Sequence, residues 1–462
     1  MAEVYDVVII GAGLSGLVAA YTVLKQIPSA KVVVLESTDH IGGPIVCRDM
    51  KTADGTGVFD LGSARVGTAQ TEMLEFIKEL GLETYEQYGT GNKFWQLGDG
   101  KMKKWSGNIP PLPYTSLLDL LRFFKKVDSL SKEVNLENPA ASKHAEEWDK
   151  TTMEEFRKNV LWTEVGRQTA DTLTGSFFSM DIKELKLMSY LYVVASDGGW
   201  DNHSDKESSR KLNLKVKGGF GKVCTELVQK ISESSVLKNE SVTSIALDGE
   251  KSAVVKTSSG KEFTAKRVIC AAAINHVGGI QFDPPLKIER AAAFPKVIPM
   301  INCALTYSTP FWREDGLAGE LLSMSGTLSL LAQNDDHPVI GVFDHNNSDS
   351  KPALMAVLGA PGLHKKTADQ RKGILLNYMK EHFGEKAMEP LDYQELIWDT
   401  DYRGPAPKRD GVKPSEVLSA LRTPHGCVHW AGSYTATSWN DSLAGALQAG
   451  QRAANEVVAA MK

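Results

Sequence analysis

A glycine-rich turn between an apolar strand and a helix is the feature that most constrains the fold of this chain. The turn follows the apolar residues 7–10 and contains Gly11, Gly13 and Gly16, while Glu36 ends the next apolar run. In such a turn Gly11 permits the tight bend, Gly13 lets a pyrophosphate approach the backbone, and Gly16 lets the helix pack on the strand. The helix N-terminus offers free N–H groups to phosphates, and Glu36 can accept hydrogen bonds from a ribose hydroxyl. The pattern therefore predicts a βαβ unit that binds a dinucleotide.

The size and charge of the chain limit what it can bind. With 462 residues, two domains are the default and a large cofactor can be buried. A formal net charge of -5, with 42% hydrophobic and 24% charged residues, gives no basic field that would attract nucleic acid. We find no run of about 18 apolar residues, and no signal peptide precedes the first strand. We therefore expect a cytoplasmic protein with no membrane anchor and no nucleic-acid partner, and we leave open whether it forms a homodimer.

The cysteines give no sign of a disulfide framework or a metal site. The five cysteines are scattered and form no C-x-x-C pair: Cys47, Cys224, Cys270, Cys303 and Cys427. This spacing matches neither the regular pattern of a small disulfide-bonded domain nor the ligand spacing of zinc sites. We therefore expect reduced thiols and no bound metal.

Helix and strand patterns divide the chain into alternating parts. A helix is predicted over residues 71–80, and helical segments dominate from there to about residue 200. Strand character then returns in a meander and again near the C-terminus, at residues 241–245, 253–257, 267–271 and 427–430, with a last helix over 443–460. We predict an α/β fold whose nucleotide-binding domain is assembled from three segments, residues 1–86, 217–290 and 400–462. The other residues, 87–216 and 291–399, form a predicted α+β substrate domain with a strand over 300–307 and a helix over 368–383.

Several further motifs occur in an order that resembles the flavin-containing amine oxidase superfamily. Gly42-Gly43 follows Glu36, residues 59–62 read Phe-Asp-Leu-Gly, and residues 430–436 read Trp-Ala-Gly-Ser-Tyr-Thr-Ala. The similarity is greatest to the monoamine oxidases and continues through five more motifs, at residues 78–85, 147–149, 161–164, 218–221 and 310–313. The resemblance implies FAD as the cofactor and a Rossmann-type FAD-binding domain beside the substrate domain.

The same resemblance assigns residues to the cofactor. The residues expected to hold the AMP half of FAD are Gly11, Gly13, Gly16, Glu36, Gly42 and Gly43. The turn and helix start expected near the flavin ring and pyrophosphate are Gly432, Ser433, Ser442 and Leu443. Val242 would contact the adenine end, although a core strand residue is an equally good explanation. Pro44 replaces the arginine that usually follows the double glycine, which leaves Arg48 as a candidate for its phosphate contact.

The resemblance also indicates how the flavin ring is surrounded. The cysteine that links the flavin covalently in monoamine oxidases falls on Ala406, which implies non-covalent FAD. The two aromatic residues that frame the substrate amine fall on Pro407 and Ser442, so this aromatic cage is missing. Trp398 and Trp439 remain as aromatic candidates near the ring, although a buried tryptophan is more often a core residue.

Two polar positions bear on the substrate and on oxygen. Asn302 stands where the family has a lysine that holds a water near flavin N5 and assists the reaction with oxygen. An amide can hold a water but supplies no positive charge, so oxygen reactivity is expected to be weak. Arg65 stands where L-amino-acid oxidases place the arginine that binds the substrate carboxylate, and a guanidinium suits that role. The alternatives are that Arg65 pairs with Asp60 or reaches the flavin pyrophosphate.

Three functions are compatible with these residues. The first is an FAD-dependent oxidase that oxidises the C–N bond of a small amine or amino acid by hydride transfer to flavin N5, with O2 as the expected acceptor. The second is a redox-neutral isomerase of a carboxylate-bearing substrate, which the missing lysine and Arg65 would suit. The third is a flavoprotein that has lost catalysis. We favour the oxidase, and the residues expected around its reacting atoms are Arg65, Asn302, Trp398, Trp439 and Ser442.

Overall fold

The computed structural model describes residues 4–96, 101–106, 111–178, 182–202, 213–291, 300–323, 337–359, 362–398 and 411–462. Their strands are β1 (Val4–Ile10), β2 (Val32–Leu35), β3 (Cys47–Thr52), β4 (Gly55–Asp60), β5 (Thr84–Glu86), β6 (Asn92–Gln96), β7 (Met102–Trp105), β8 (Leu214–Val216), β9 (Val236–Leu237), β10 (Val242–Asp248), β11 (Ser252–Thr257), β12 (Glu262–Cys270), β13 (Gln281–Asp283), β14 (Met300–Thr306), β15 (Leu317–Leu322), β16 (Val339–Asp344), β17 (Ala353–Leu358), β18 (Asp392–Trp398) and β19 (Val428–Trp430).

The α-helices follow the same chain order. They are α1 (Leu14–Gln26), α2 (Thr71–Glu79), α3 (Tyr114–Ser131), α4 (Ala145–Lys150), α5 (Met153–Val160), α6 (Glu164–Phe178), α7 (Leu187–Ser196), α8 (Gly221–Ile231), α9 (Ile274–Val277), α10 (Ile288–Ala291), α11 (Phe311–Glu314), α12 (Ala368–Phe383), α13 (Pro414–Ala420) and α14 (Leu443–Met461).

The first sheet has β1 near its centre. Its strand order is β13-β10-β11-β12-β1-β2-β9, and β19 also pairs with β12. Strand β1 runs parallel to both β2 and β12, whereas β10, β11 and β12 form the predicted antiparallel meander. The apolar residues of β1 alternate between two cores, one containing Val7 and Ile9 with α1 and α14, the other containing Val8 and Ile10. Burial on both faces explains why this strand reads as a continuous apolar run.

Three separate parts of the chain supply the first sheet. Strands β1 and β2 come from the N-terminal part, β9 to β13 from the middle, and β19 from the C-terminal part. The predicted α/β architecture is thus confirmed, and the helix predicted over 443–460 is α14. The exact domain boundaries stay a prediction, because two of the four predicted junctions, 290/291 and 399/400, fall beside or within undescribed residues.

The second sheet carries a different core. Its strand order is β18-β14-β17-β16-β15-β6-β7. Alternate residues of its strands, among them Ile301, Cys303 and Leu305, pack with helix α12. Residues between them, such as Ala304 and Met355, face the β3–β4 hairpin and pack on it. One face of this sheet is therefore closed by α12, and the other is turned toward the hairpin that follows the double glycine.

The helical block between residues 111 and 202 packs around its own core. Helices α3 to α7 contribute most of its buried residues, including Phe123, Trp148 and Tyr190. The prediction that helices dominate from residue 81 to about 200 is wrong for its first part, because β5, β6 and β7 lie there. Phe94 and Trp95 of β6 enter different cores, so the strand shows no alternation of apolar and polar residues.

The cysteines are free, as the sequence predicts: Cys47 is half-buried, and Cys224, Cys270, Cys303 and Cys427 are buried. Of the helices in the described part of the chain, none is both long enough and apolar enough to cross a membrane.

Candidate active site

Several strand ends meet at one edge of the first sheet. Gly11, which follows β1, donates its N–H to the last residue of β2. Ala271, which follows β12, donates to the last residue of β1, and Ala431, which follows β19, donates to the last residue of β12. Each of these bonds measures 2.8 Å. The glycine turn and the C-terminal turn therefore lie side by side at the carboxyl ends of parallel strands, where α/β sheets bind ligands.

The glycine turn has the geometry predicted for a phosphate-binding loop. Gly11 has φ +96°, and a Cβ on Gly16 would lie 2.0 Å from the Gly11 carbonyl oxygen. Gly13 precedes the first residue of α1. A Cβ built on Gly13 would meet no heavy atom of a non-neighbouring residue within 4 Å. The backbone at Gly13 thus borders open space at the N-terminus of α1, which a pyrophosphate can occupy.

Glu36 lies directly beside this turn. Its Oε2 accepts the N–H of Ala12 at 2.9 Å, and its Oε1 accepts the N–H and the hydroxyl of Thr38, both at 2.9 Å. The Glu36 side chain is 8% exposed. A carboxylate held at this point by two backbone amides has lone pairs left for a ribose hydroxyl, and that contact stays a prediction.

The double glycine packs against the first turn. Gly42 donates its N–H to Ala12 O at 2.8 Å, and both Gly42 and Gly43 have positive φ, +106° and +58°. A Cβ on Gly43 would lie 3.4 Å from the Gly13 Cα. Arg48 is six residues further along, exposed on β3, and its Nη1 donates to Cys47 O at 3.2 Å. Nothing in these contacts ties Arg48 to the phosphate-binding turn.

Val242 is placed near Glu36 by the backbone. The backbone N–H of Glu240 donates to the carbonyl oxygen of Glu36 at 2.8 Å. Val242 begins β10 two residues later and is half-buried against the core that contains Val8. Both readings of Val242, adenine contact and core residue, agree with this position.

The C-terminal turn leads into helix α14. Gly432 is buried, and the Ser433 hydroxyl donates to Asp441 Oδ1 at 3.0 Å. The Ser442 hydroxyl accepts the Gly445 N–H at 3.1 Å and donates to Trp439 O at 2.6 Å. Ser442 is therefore the N-cap of α14, and the next residue, Leu443, is 8% exposed. The hydroxyl predicted to face the reacting atoms is already engaged in capping the helix.

Trp439 belongs to a strained link before α14. Trp439 and Asp441 are non-glycine residues with φ +54° and +55°. Between them Asn440 is fully buried, and its Nδ2 donates to Tyr434 O at 3.1 Å and to Ala436 O at 2.8 Å. The Trp439 N–H donates to Ser196 O at 2.8 Å. Strain held by such contacts is common at functional sites. Asn440 was missed from the sequence, where it gives no signal beyond its place next to Trp439.

Asn302 lies on β14, on the face of the second sheet that is turned away from α12. Its Nδ2 donates to Leu61 O at 2.8 Å, just after β4, and the side chain is half-buried. In the part of the chain that the structure describes, no hydrogen bond reaches its Oδ1. The amide can therefore still accept a hydrogen bond, for example from a water.

Trp398 ends β18 on the same face as Asn302. Met300 lies opposite Trp398, and Asn302 lies opposite Leu396, two residues earlier on β18. Because side chains alternate along a strand, Trp398 and Asn302 point to the same side of the sheet. Ala406, which stands at the position of the family's flavin-linking cysteine, and Pro407, which stands at a cage position, lie outside the described residues.

Arg65 extends from the loop after β4 to the end of β16. Its guanidinium carbon lies 5.2 Å from the centre of the Phe343 ring, and its Nη2 lies 3.5 Å from Asp344 O. The side chain is half-buried, and burial lowers the pKa of its guanidinium. No carboxylate of the described residues comes within 4.0 Å of it. The alternative that Arg65 pairs with Asp60 is not seen, because no ion pair joins these two described side chains; the Asp60 carboxylate accepts the Phe220 N–H at 2.8 Å and lies 3.9 Å from Lys215 Nζ.

Other charged side chains near Arg65 are already paired. Lys93 and Glu320 form an ion pair at 2.5 Å in which the side chains are only 14% and 13% exposed. Arg313 binds Asp344 through its Nε and Nη2, each at 2.8 Å. The carboxylates of Glu320 and Asp344 act to raise the pKa of Arg65, so both lie within electrostatic reach of it. The positive charges of Lys93, Arg313 and Arg65 thus outnumber the two carboxylates described around them by one, and Arg65 is the cation that is left unpaired.

Two buried basic residues behind Arg65 were missed from the sequence. Lys215 is 1% exposed and His345 is 3% exposed. The Lys215 Nζ lies 3.1 Å from His345 Nδ1 and 3.9 Å from Asp60 Oδ2. The His345 Nε2 lies 2.6 Å from Asp60 O. Lys215 lies on a short strand, three residues before a Gly-Gly pair, and no local sequence pattern indicates that it is buried.

Comparison with known proteins gives one consistent result. The family model of the flavin-containing amine oxidoreductases matches residues 14–458. Flavin-containing amine oxidase A of Equus caballus is 29% identical over 475 residues, covering 99% of this chain and 86% of the relative. Flavin-containing amine oxidase B of Sus scrofa is 30% identical over 480 residues, covering 100% of this chain and 87% of the relative.

Solved structures give the same answer at the level of the fold. Putrescine oxidase bound to putrescine superposes with a TM-score of 0.83 at 25% identity, covering 99% of each chain. Cyclohexylamine oxidase from Brevibacterium oxydans superposes with a TM-score of 0.84 at 23% identity, again over 99% of each chain. These similarities confirm the resemblance inferred from the motifs and the α/β fold.

Proposed function

Because the chain belongs to the family of flavin-containing amine oxidoreductases, we propose that it oxidises the C–N bond of an amine or amino acid that carries a carboxylate, with FAD bound non-covalently and O2 as acceptor. When bound, FAD supplies the ring that takes up hydride from the carbon beside the nitrogen. The task of the protein is then to orient the substrate and to exclude water.

The residues around the glycine turn fit FAD. Open space at Gly13, the carboxylate of Glu36 and the close packing of Gly42 and Gly43 are what an adenosine diphosphate moiety needs. On the other side of the turn, Gly432 and Ser433 follow β19 and Ser442 and Leu443 start α14, and all four would contact the flavin end. Val242 and Arg48 complete the proposed set. Val242 lies near Glu36 through the backbone, whereas Arg48 belongs to the set on the sequence alone. The proposed substrate domain then supplies Asn302 and Trp398, and the proposed FAD-binding domain supplies Trp439.

One observation carries the carboxylate part of the proposal. The half-buried guanidinium of Arg65 has no carboxylate partner among the described residues and keeps only a 3.5 Å contact with Asp344 O. A buried charge without a counter-charge is costly, whereas a substrate carboxylate would satisfy both its charge and its N–H groups. Lys93 and Arg313 are already neutralised by Glu320 and Asp344. Among these three cationic side chains, Arg65 is therefore the one without a carboxylate partner in the described residues.

The test is anaerobic reduction of the bound flavin by a matched panel of amines. Each amine with a carboxylate is paired with the amine of the same length that lacks it, and absorbance reports flavin reduction. We expect Arg65→Met to lower kcat/KM for the carboxylate-bearing amines by about 10- to 100-fold, because hydrogen bonds to a charged group contribute about 1.5–3 kcal/mol. Arg122→Met, which removes an exposed arginine of α3, is the control.

The outcomes separate the parts of the proposal. If no member of the panel reduces the flavin, amine oxidation is the wrong reaction. If amines reduce the flavin and Arg65→Met affects both members of each pair equally, carboxylate recognition by Arg65 is wrong and amine oxidation stands.

A second candidate function is favoured by Asn302. Its amide is bound to Leu61 O and supplies no cation beside the proposed ring. A redox-neutral isomerase of a carboxylate-bearing substrate would use Arg65 in the same way and would not need oxygen. Such an enzyme gives a product of unchanged mass and no hydrogen peroxide, whereas the oxidase gives an imine-derived product and peroxide.

A further inference from the structure

We propose that Lys215 is a positioning residue that fixes the guanidinium of Arg65 for carboxylate binding. The inference rests on the proposed function of Arg65 and adds a residue that does not itself touch the substrate. Lys215 is 1% exposed and sits behind the Arg65 loop, on β8.

Lys215 connects the chain segments that hold Arg65. On its own strand, Leu214 exchanges two backbone hydrogen bonds with Val66, the residue after Arg65, at 2.9 and 3.2 Å. The Lys215 side chain reaches His345, which follows Asp344 at the end of β16. The Lys215 Nζ lies 3.1 Å from His345 Nδ1. The same Nζ lies 3.9 Å from the carboxylate of Asp60, the last residue of β4. One side chain thus joins β8, the end of β4 and the end of β16.

The protonation of this cluster follows from its contacts. Burial keeps the pKa of His345 well below its usual value, so the imidazole is neutral. Asp60 O can only accept a hydrogen bond, so the His345 Nε2 carries the proton and donates to it at 2.6 Å. Nδ1 is then the acceptor for the Lys215 ammonium. Burial lowers the pKa of Lys215 to about 8, opposed by Asp60, so the amine is mainly protonated at neutral pH.

These contacts determine where the Arg65 guanidinium can lie. The chain that carries Arg65 is anchored before this residue at Asp60 and after it at Val66. The Arg65 Nη2 contacts Asp344 O. His345 is bonded to Asp344, which Arg313 and Trp312 also hold. Lys215 therefore adds a tie between the loop that carries Arg65 and the surface on which Arg65 rests. Without the ammonium, the Asp60 and His345 segments keep the His345–Asp60 hydrogen bond and the Phe59–His345 ring contact but lose the tie that Lys215 makes to β8.

A buried lysine is a costly way to provide packing alone. An apolar side chain of similar length would fill the same space without the cost of removing a charge from water. The nearest carboxylate lies at 3.9 Å and the closest partner is a neutral imidazole, so the charge is only partly compensated. A role in fixing polar segments, which only hydrogen-bond donors can perform, accounts for its presence.

The experiment compares Lys215→Met with Lys215→Arg in the FAD-loaded protein. Calorimetry measures the dissociation constant of propanoate, an unreactive carboxylate, and steady-state kinetics gives kcat and KM for paired amines with and without a carboxylate. We expect Lys215→Met to weaken propanoate binding about tenfold and to raise KM for the carboxylate-bearing amine by a similar factor. KM for the other amine and kcat should change by less than about threefold. Lys215→Arg should restore part of the loss.

Two further variants keep the test decisive. Lys217→Met removes an exposed lysine of the same segment, paired with Glu83 at 2.6 Å, and should leave propanoate binding unchanged. His345→Leu removes the ring nitrogen that accepts from the Lys215 ammonium. It should weaken propanoate binding as Lys215→Met is expected to, and it tests the proposal if Lys215→Met fails to fold.

Each of the other outcomes contradicts a specific part of the proposal. Propanoate binding that is lost in Arg65→Met but unaffected in Lys215→Met and His345→Leu overturns the role of Lys215 alone. An equal loss for both paired amines shows a merely structural role and also overturns it. Propanoate binding that survives Arg65→Met overturns the proposed function of Arg65, whatever Lys215 does.

Discussion

At the scale of single residues, Asn302 bears most directly on the choice of electron acceptor. Its amide donates to Leu61 O, so its contacts place no positive charge at this point. Reduction of O2 develops negative charge, which a preorganised cation stabilises. An oxidase that works without such a cation should react slowly with O2, and the rate should respond to a charge introduced at this position.

We expect Asn302→Lys to raise the rate constant for reoxidation of the reduced flavin by O2 about tenfold, since a tenfold change corresponds to about 1.4 kcal/mol. Leu61 O, which now accepts from the amide, would accept from the ammonium. Stopped-flow absorbance of the reduced protein mixed with oxygenated buffer measures the rate. Asn302→Met, which is neutral, is the control. A rate that stays unchanged in Asn302→Lys with flavin still bound would show that residue 302 lies away from the reacting ring.

Residue identities were easier to predict than residue surroundings. Arg65 could be singled out from its local motif, but its contacts lie on Phe343 and Asp344, far along the chain. Lys215 carries no local signal, because its burial results from His345 and Asp60 closing over it. Local motifs reflect backbone requirements, whereas side-chain partners depend on packing between distant segments.

At the scale of elements, the contact between α1 and α14 places the glycine turn against the C-terminal helix. Gly450 lies where the two helices approach most closely, since a Cβ on it would lie 2.4 Å from Ser15 O and 3.0 Å from Val18 Cβ. Because Ser15 belongs to the turn that starts α1, pushing the helices apart would also displace the proposed phosphate site.

We expect Gly450→Ala to destabilise the protein by about 1–3 kcal/mol, since a methyl group forced into a packed contact shifts the backbone. Gly373→Ala is the matched control in helix α12, where the added Cβ would meet nothing within 4 Å. That change should stabilise the protein by about 0.5–1 kcal/mol, because alanine favours a helix over glycine. Denaturant unfolding measures both. The same sign for both variants would contradict the close approach at Gly450.

Elements with local signals were predicted well. Helix α12 has the predicted bounds because Thr367 and Gln370 form a capping box and Gly384 ends it. Strands β5 and β6 were missed because they pair with distant strands, β5 with β8 and β6 with β15. Strand β7 pairs with its neighbour β6 and was missed because its four residues, Met-Lys-Lys-Trp, show no alternation of apolar and polar residues.

At the scale of the whole molecule, the proposed FAD site joins three distant parts of the chain. The glycine turn follows β1, Val242 begins β10, and Ser433 follows β19, and the three strands belong to one sheet. A ligand that contacts all three binds the folded state only. Its binding free energy then adds to the free energy of unfolding.

Non-covalent FAD should therefore stabilise the protein by an amount that grows with the logarithm of its free concentration. With free FAD at 100 times its Kd the gain is about 2.7 kcal/mol, so Tm of the apoprotein should rise by several degrees and continue to rise with the logarithm of FAD concentration. Acid precipitation should leave the flavin in the supernatant. Glu36→Gln removes a charge-assisted acceptor and should weaken FAD binding about 10- to 100-fold, whereas Glu250→Gln at an exposed turn is the control. Flavin that remains in the acid precipitate would contradict non-covalent binding, because only a covalent bond survives loss of the fold that joins these three segments.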